Sequence, residues 1–118
     1  MHVTITATGL TPNSELQKYA KRKIAEVTRR VPLKVKAEAI YTVQLAQKRS
    51  RGQTVKTCTL ALTLPDAEFT ATETTQHMFA ALDIATANIR TQLRAYTLQK
   101  RREARRARLD SGADIDET

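Results

Sequence analysis

Lys34-Val35-Lys36-Ala37-Glu38-Ala39-Ile40-Tyr41-Thr42-Val43-Gln44-Leu45-Ala46-Gln47 decides the fold. Its odd positions, from Val35 to Leu45, are apolar, and its even positions are mostly polar or charged. That period of two predicts one long strand over 34–47, with one face toward a core and one toward water. The same alternation returns in Cys58, Leu60, Leu62 and Leu64 set against Thr57, Thr59, Ala61 and Thr63, a further strand. Pro65-Asp66 supplies a short turn into Ala67, Phe69 and Ala71, which alternate with Glu68, Thr70 and Thr72. Three strands in succession predict an antiparallel meander, and the basic segment 47–56 with Gly52 reads as the loop between the first two.

Upstream, Val3-Thr4-Ile5-Thr6-Ala7 is β-branched and alternating, and stops at Gly9. After Pro12-Asn13, a turn with a plausible N-cap, Leu16, Ala20, Ile24, Val27 and Val31 fall at intervals of three and four, a single helical stripe closed by Pro32. Downstream, the period changes again around Thr74-Thr75. Met78, Leu82, Ala85, Ile89, Leu93 and Tyr96 lie on one side of a second, long helix. Beyond Tyr96 the stripe ends and the run from Lys100 to Arg108 is basic, opposed only by Glu103, so the helix is expected to leave the sheet. The acidic end, with Asp110, Asp114, Asp116 and Glu117, is expected to be disordered. The order β-α-β-β-β-α predicts an α+β two-layer sandwich: a four-stranded mixed sheet with two helices on one face. Residues 1–97 form its domain, and 98–118 a basic helical extension with an acidic tail.

Composition removes several classes of function. The 118 residues hold 20 Lys+Arg against 12 Asp+Glu, a net charge of +8, and 41% hydrophobic residues with no Trp, enough for one aliphatic core. The longest uncharged apolar stretch, 57–65, is far short of the ~20 residues that cross a bilayer. The N-terminus has neither the basic start nor the apolar run of a secretory signal, so a cytoplasmic location is expected. One cysteine and two histidines cannot build a disulfide scaffold or a zinc module. Cys58 shares its alternation with three leucines and reads as a buried structural thiol. His77 and Asp83 lack partners for acid–base chemistry, and the three glycines are too scattered for a phosphate loop. No catalytic residues, metal, cofactor or small-molecule substrate are therefore expected.

The charge is localised. Residues 14–31 sum to +4, 47–56 to +4, 57–89 to −4 and 90–108 to +7. On a helical wheel Lys18, Lys21, Arg22 and Arg29 point away from the first helix's apolar stripe. Arg90, Arg94, Arg101, Arg105 and Arg108 form one rail on the second. Arginine's planar fork donates two hydrogen bonds to one phosphate, which points to a polyanion. A membrane surface would need a bulky exposed apolar face, and the helices offer only Ile84 and Leu98. Major-groove reading of DNA would need polar readers at an exposed helix start, whereas the basic part of the second helix comes late. RNA backbone binding fits better, although the lysine cluster that double-stranded-RNA-binding domains place at the start of their second helix is missing.

Several segments also resemble one family. Val3-Thr4-Ile5-Thr6, Leu16-Gln17-Lys18-Tyr19 with Arg22-Lys23-Ile24, His77-Met78-Phe79-Ala80-Ala81-Leu82-Asp83 and Gln92-Leu93-Arg94 are similar, in order and spacing, to the bacterial ribosome hibernation promoting factors. That family includes the ribosome-associated inhibitor A (protein Y) type. The resemblance covers roughly residues 3–96. It implies a β-α-β-β-β-α protein in the mRNA and tRNA channel of the small ribosomal subunit, silencing idle ribosomes by occupying that space. By the same match Arg22, Lys23, Arg90 and Arg94 would contact ribosomal RNA, with Lys18, Lys21 and Arg29 supporting them on helical geometry. Asn88, Thr91, Ala95 and Thr97 stand where the family is frequently basic, and Lys100-Arg101-Arg102 lies further along, which implies a footprint shifted toward the C-terminus. Long-type members carry a second, dimerising domain, so a short-type factor and a piece of a longer chain are both open. The alternative function is another RNA-binding ribosome assembly or regulatory factor using the same face.

Overall fold

The structure, a computed structural model, describes residues 1–110; the acidic tail beyond them lies outside the described residues. Strand β1 (His2–Thr8) is followed by helix α1 (Ser14–Thr28), the single-turn α2 (Leu33–Lys36), strands β2 (Ile40–Ser50), β3 (Gln53–Leu64) and β4 (Ala67–Thr75), and helix α3 (Met78–Asp110). The sheet has the order β1-β2-β3-β4, with β1 parallel to β2 and the other pairs antiparallel. This is the mixed four-stranded sheet that the alternation predicts, with both long helices on one face. Helix α3 packs over β3 and β4 and beside α1.

Register places the core on that face. Tyr41, Val43 and Leu45 of β2 lie opposite Leu62, Leu60 and Cys58 of β3, and all six are buried under Leu16, Ala20 and Val27 of α1 and Leu82, Ile89 and Leu93 of α3. The other face is left open and is largely threonine. There Thr57 and Thr59 hydrogen-bond across the strands to Thr74 and Thr72. Asn13 caps α1 as its position suggests, its side-chain oxygen accepting from the Leu16 N–H at 2.8 Å.

Three boundaries differ from the sequence expectation. The segment 34–39 is not strand. Pro32 sets up a helical turn, the Val35 N–H donates to its carbonyl, and Glu38 and Ala39 continue the turn, so β2 starts only at Ile40. The segment 47–56 is no loose loop. β2 and β3 stay paired as far as Ser50↔Gln53, joined by Arg51 and Gly52 at φ 52° and 77°. Two central residues of positive φ are what a twisted two-residue hairpin requires. Likewise β4 persists to Thr75, so α3 begins later than expected, at Met78.

Since β1 pairs no further than Ala46 and β4 no further than Lys56, the hairpin is a two-stranded arm carrying Lys48, Arg49 and Arg51. Helix α3 starts near that end and runs unbroken past 97–98 to Asp110, leaving the sheet at the β3–β4 turn. The basic arm and the basic helix thus project from opposite ends of a molecule 71 Å long. Among the described residues no helix is long and apolar enough to cross a membrane.

Gly9 allows the chain to leave β1. Its φ is +76°, and an added Cβ would meet the Gln47 carbonyl oxygen at 2.3 Å. Gly9→Ala is expected to cost about 2 kcal/mol in urea unfolding, from the left-handed backbone plus displacement of β2. A change under ~0.5 kcal/mol would contradict this turn.

Candidate nucleic-acid interface

The apolar stripe of α1 faces the sheet, so helical geometry turns Lys18, Lys21, Arg22 and Arg29 outward, and all four are exposed. Arg22 lies over the Tyr19 ring at 6.0 Å, which holds its guanidinium near the α1–α3 seam. Where α1 ends, Arg30 reaches α3. With Arg90, Arg94 and Arg101 it lines an open cleft of about 670 Å³ whose floor includes Leu93, Thr97 and Leu98. Arg102 lies beyond the cleft on the exposed extension. Arg30 is not among the bases that the sequence points to, because the wheel of α1 puts it near the apolar stripe and gives no view of the neighbouring helix. The same geometry identifies it: the edge of that stripe facing α3 carries Tyr19, Lys23 and Glu26.

Two of the ten expected contact residues are tied elsewhere. Lys23, with a side chain only 19% exposed, bonds Asp83 of α3 at 2.9 Å and Glu26 at 3.5 Å. Lys100 is paired with Asp66 of the β3–β4 turn and with Glu103, and lies over Tyr96. These lysines fasten α3 to α1 and to the sheet. Arg90 is intermediate, 3.8 Å from Glu26. The remaining seven, Lys18, Lys21, Arg22, Arg29, Arg94, Arg101 and Arg102, have no carboxylate within ion-pair distance among the described residues. Among the described residues their charge is uncompensated, and on neighbouring helices it gives a field that attracts anions.

The fastenings are visible in the acid–base behaviour of their members. A hydrogen bond from the Tyr19 hydroxyl, and then Lys23, hold the Asp83 carboxyl below the usual carboxylate range, and Asp83 in turn raises Lys23. Asp66 is lowered by Lys100 and Tyr96. A carboxyl with a lowered folded-state pKa contributes stability above its unfolded value, and loses it as pH falls through the folded one. Asp83→Asn is therefore expected to reduce stability at pH 7 by about 1 kcal/mol, a figure discounted because Asp83 is half exposed. The difference from the parent should shrink as pH falls through the lowered folded-state pKa of this carboxyl, below the ordinary carboxylate range. Chemical denaturation between neutral and acid pH reads this, and a difference independent of pH would contradict it.

Burial pushes the Cys58 thiol up to about 12, in keeping with a structural role. Among the described residues no three of His, Cys, Asp and Glu come together as a metal site.

Comparison with solved structures gives the N-terminal domain of Thermus thermophilus protein Y, at 18% identity and TM-score 0.64, covering 81% of this chain and 99% of that one. A ribosomal subunit interface protein from Coxiella burnetii matches at 19% identity and TM-score 0.64, covering 83% and 99%. These likenesses establish the fold. Comparison with curated protein sequences gives no match. The family model described as sigma 54 modulation protein / S30EA ribosomal protein matches residues 3–101, nearly the whole described chain, and the chain belongs to that family.

Proposed function

We propose that this protein is a non-catalytic, ribosome-binding translation inhibitor that occupies the mRNA and tRNA channel of the small ribosomal subunit and keeps idle ribosomes inactive. The observation that carries the reading is the set of basic side chains, Lys18, Lys21, Arg22, Arg29, Arg94 and Arg101, that α1 and α3 present on adjoining outer faces with no ion-pair partner among the described residues, in a chain of this family. Such a surface grips a folded RNA by its phosphates, which needs no base readout and no chemistry. The partner is ribosomal RNA of the small subunit, and inhibition is steric: mRNA and tRNA compete for the same space. The proteins it resembles in fold include one named for the ribosomal subunit interface, which supports placing the site between subunits.

The test is sedimentation of the purified protein with small subunits. Pelleting is expected at ~50 mM salt, with an affinity that falls by about 10³ on going to ~200 mM if six or more phosphates are neutralised. Adding mRNA with initiator tRNA should displace it. Pelleting that ignores that competition would replace channel occupancy by a role in assembly or regulation elsewhere on the subunit, and absence of pelleting would end the proposal.

A further inference from the structure

The two edges of the sheet are not equally protected. The β4 edge carries Glu68 and Glu73, and Gln92 of α3 donates to the Thr70 carbonyl at 2.9 Å. Charges and capped carbonyls of this kind discourage another strand from pairing. The β1 edge has none of them. His-Val-Thr-Ile-Thr-Ala-Thr holds no acidic residue, lysine, arginine or proline, and all seven residues are exposed, including Val3 at 41% and Ile5 at 43%.

The register says which backbone groups are free. The His2 N–H donates to the Ala39 carbonyl at 2.9 Å, and His2 lies opposite Ile40 in the parallel pairing. Alternate residues of a strand face alternate edges, so His2, Thr4, Thr6 and Thr8 bond to β2, while Val3, Ile5 and Ala7 turn their N–H and C=O groups to the open edge. This set is symmetric about Ile5. An identical strand brought up antiparallel around a two-fold axis at Ile5 would set Val3 of each copy opposite Ala7 of the other. Ile5 would face itself, and each facing pair would exchange both hydrogen bonds.

We propose that the β1 edge is a self-association surface, and that the partner it fits is a second copy of this chain, joined β1 to β1 in a continuous sheet of twice the width. The symmetry of the free backbone groups about Ile5 favours this occupant, and the charge distribution favours this place. The molecule is at +8, so two copies repel through most of their surfaces, and β1 is a strand that brings no charge to the contact. The half-covered Val3 and Ile5, on the helix side of the sheet beside Tyr41 and Val43, would meet their counterparts and lose water. The seam is a single seven-residue strand from each copy, so the association is expected to be weak, with a dissociation constant on the order of 0.1 mM.

Sedimentation equilibrium of the purified full chain from about 10 µM to about 1 mM, at low and high salt, reads this directly. A monomer–dimer equilibrium is expected, and salt should shift it toward dimer by screening the net charge, the reverse of its effect on RNA binding. Ile5→Lys, at an exposed position, should leave the melting temperature within a few degrees of the parent and abolish the dimer, because two lysines would face each other at the axis. Ile5→Cys should cross-link in the dimer through a short bis-maleimide, since the facing side chains lie within its reach and Cys58 is buried. A monomer at every concentration in both salts, a dimer unaffected by Ile5→Lys, or no cross-link through Ile5→Cys would each overturn the proposal.

Discussion

Arg94→Glu combined with Arg101→Glu is expected to weaken binding to the small ribosomal subunit by at least ~100-fold at ~0.1 M salt while leaving stability within about 1 kcal/mol of the parent. Both side chains lie on the rail of α3 that lines the cleft with Arg30, and neither has an ion-pair partner among the described residues whose loss would disturb the fold. Reversal removes two phosphate contacts and adds two repulsive ones. A phosphate contact acts with little regard to base identity, so the loss should be similar for any RNA and smaller at high salt, where the parent is also weak. Arg90 is the poorer choice for this test. A glutamate there would face Glu26 and confound binding with stability. Unchanged sedimentation of the double variant would remove α3 from the interface.

Leu82→Ala is expected to have the opposite profile. Leu82 is 1% exposed, on the turn of α3 beside Asp83, and packs into the core that the two helices share with the sheet. Removing it leaves a cavity in a densely packed interior, which costs about 3 kcal/mol and lowers the melting temperature by on the order of 10–15 °C. At 25 °C, with the chain still folded, affinity for the ribosomal subunit should match the parent's within about threefold, because no surface charge has changed. Calorimetry and sedimentation on the same preparation separate the two. A large loss of affinity in the folded variant would mean that the spacing of α1 and α3 is as important to binding as their charges.

The elements that could be read from sequence are those in which one period persists through a core face. Leu16, Ala20 and Val27 announce α1, and Tyr41, Val43 and Leu45 announce the inner part of β2, because burial enforces the spacing. Val35, Ala37 and Ala39 misled for the same reason. Six residues hold too few repeats to separate a period of two from a turn started by Pro32, and Ala37 is exposed. The hairpin at 50–53 was hidden because Arg51 takes the positive φ that sequence reading expects of asparagine or glycine. For the candidate site, the wheel gives the direction of each base and says nothing of what meets it. Asp83 lies 60 residues from Lys23 and Asp66 lies 34 from Lys100, so only the packed structure shows that these two lysines are fasteners, while Arg30 enters the cleft.

Directed hydroxyl-radical probing of the complex with small subunits reads which face of the protein holds the RNA. Iron–EDTA tethered through Thr91→Cys sits on the cleft side of α3, and through Thr72→Cys on the open threonine face of the sheet; the native Cys58 is buried and will not take the label. Strong cleavage of small-subunit ribosomal RNA from position 91, reduced by mRNA with tRNA, and little from position 72, is the result expected if the helix face holds the RNA. Equal cleavage from both, or cleavage only from position 72, would contradict it.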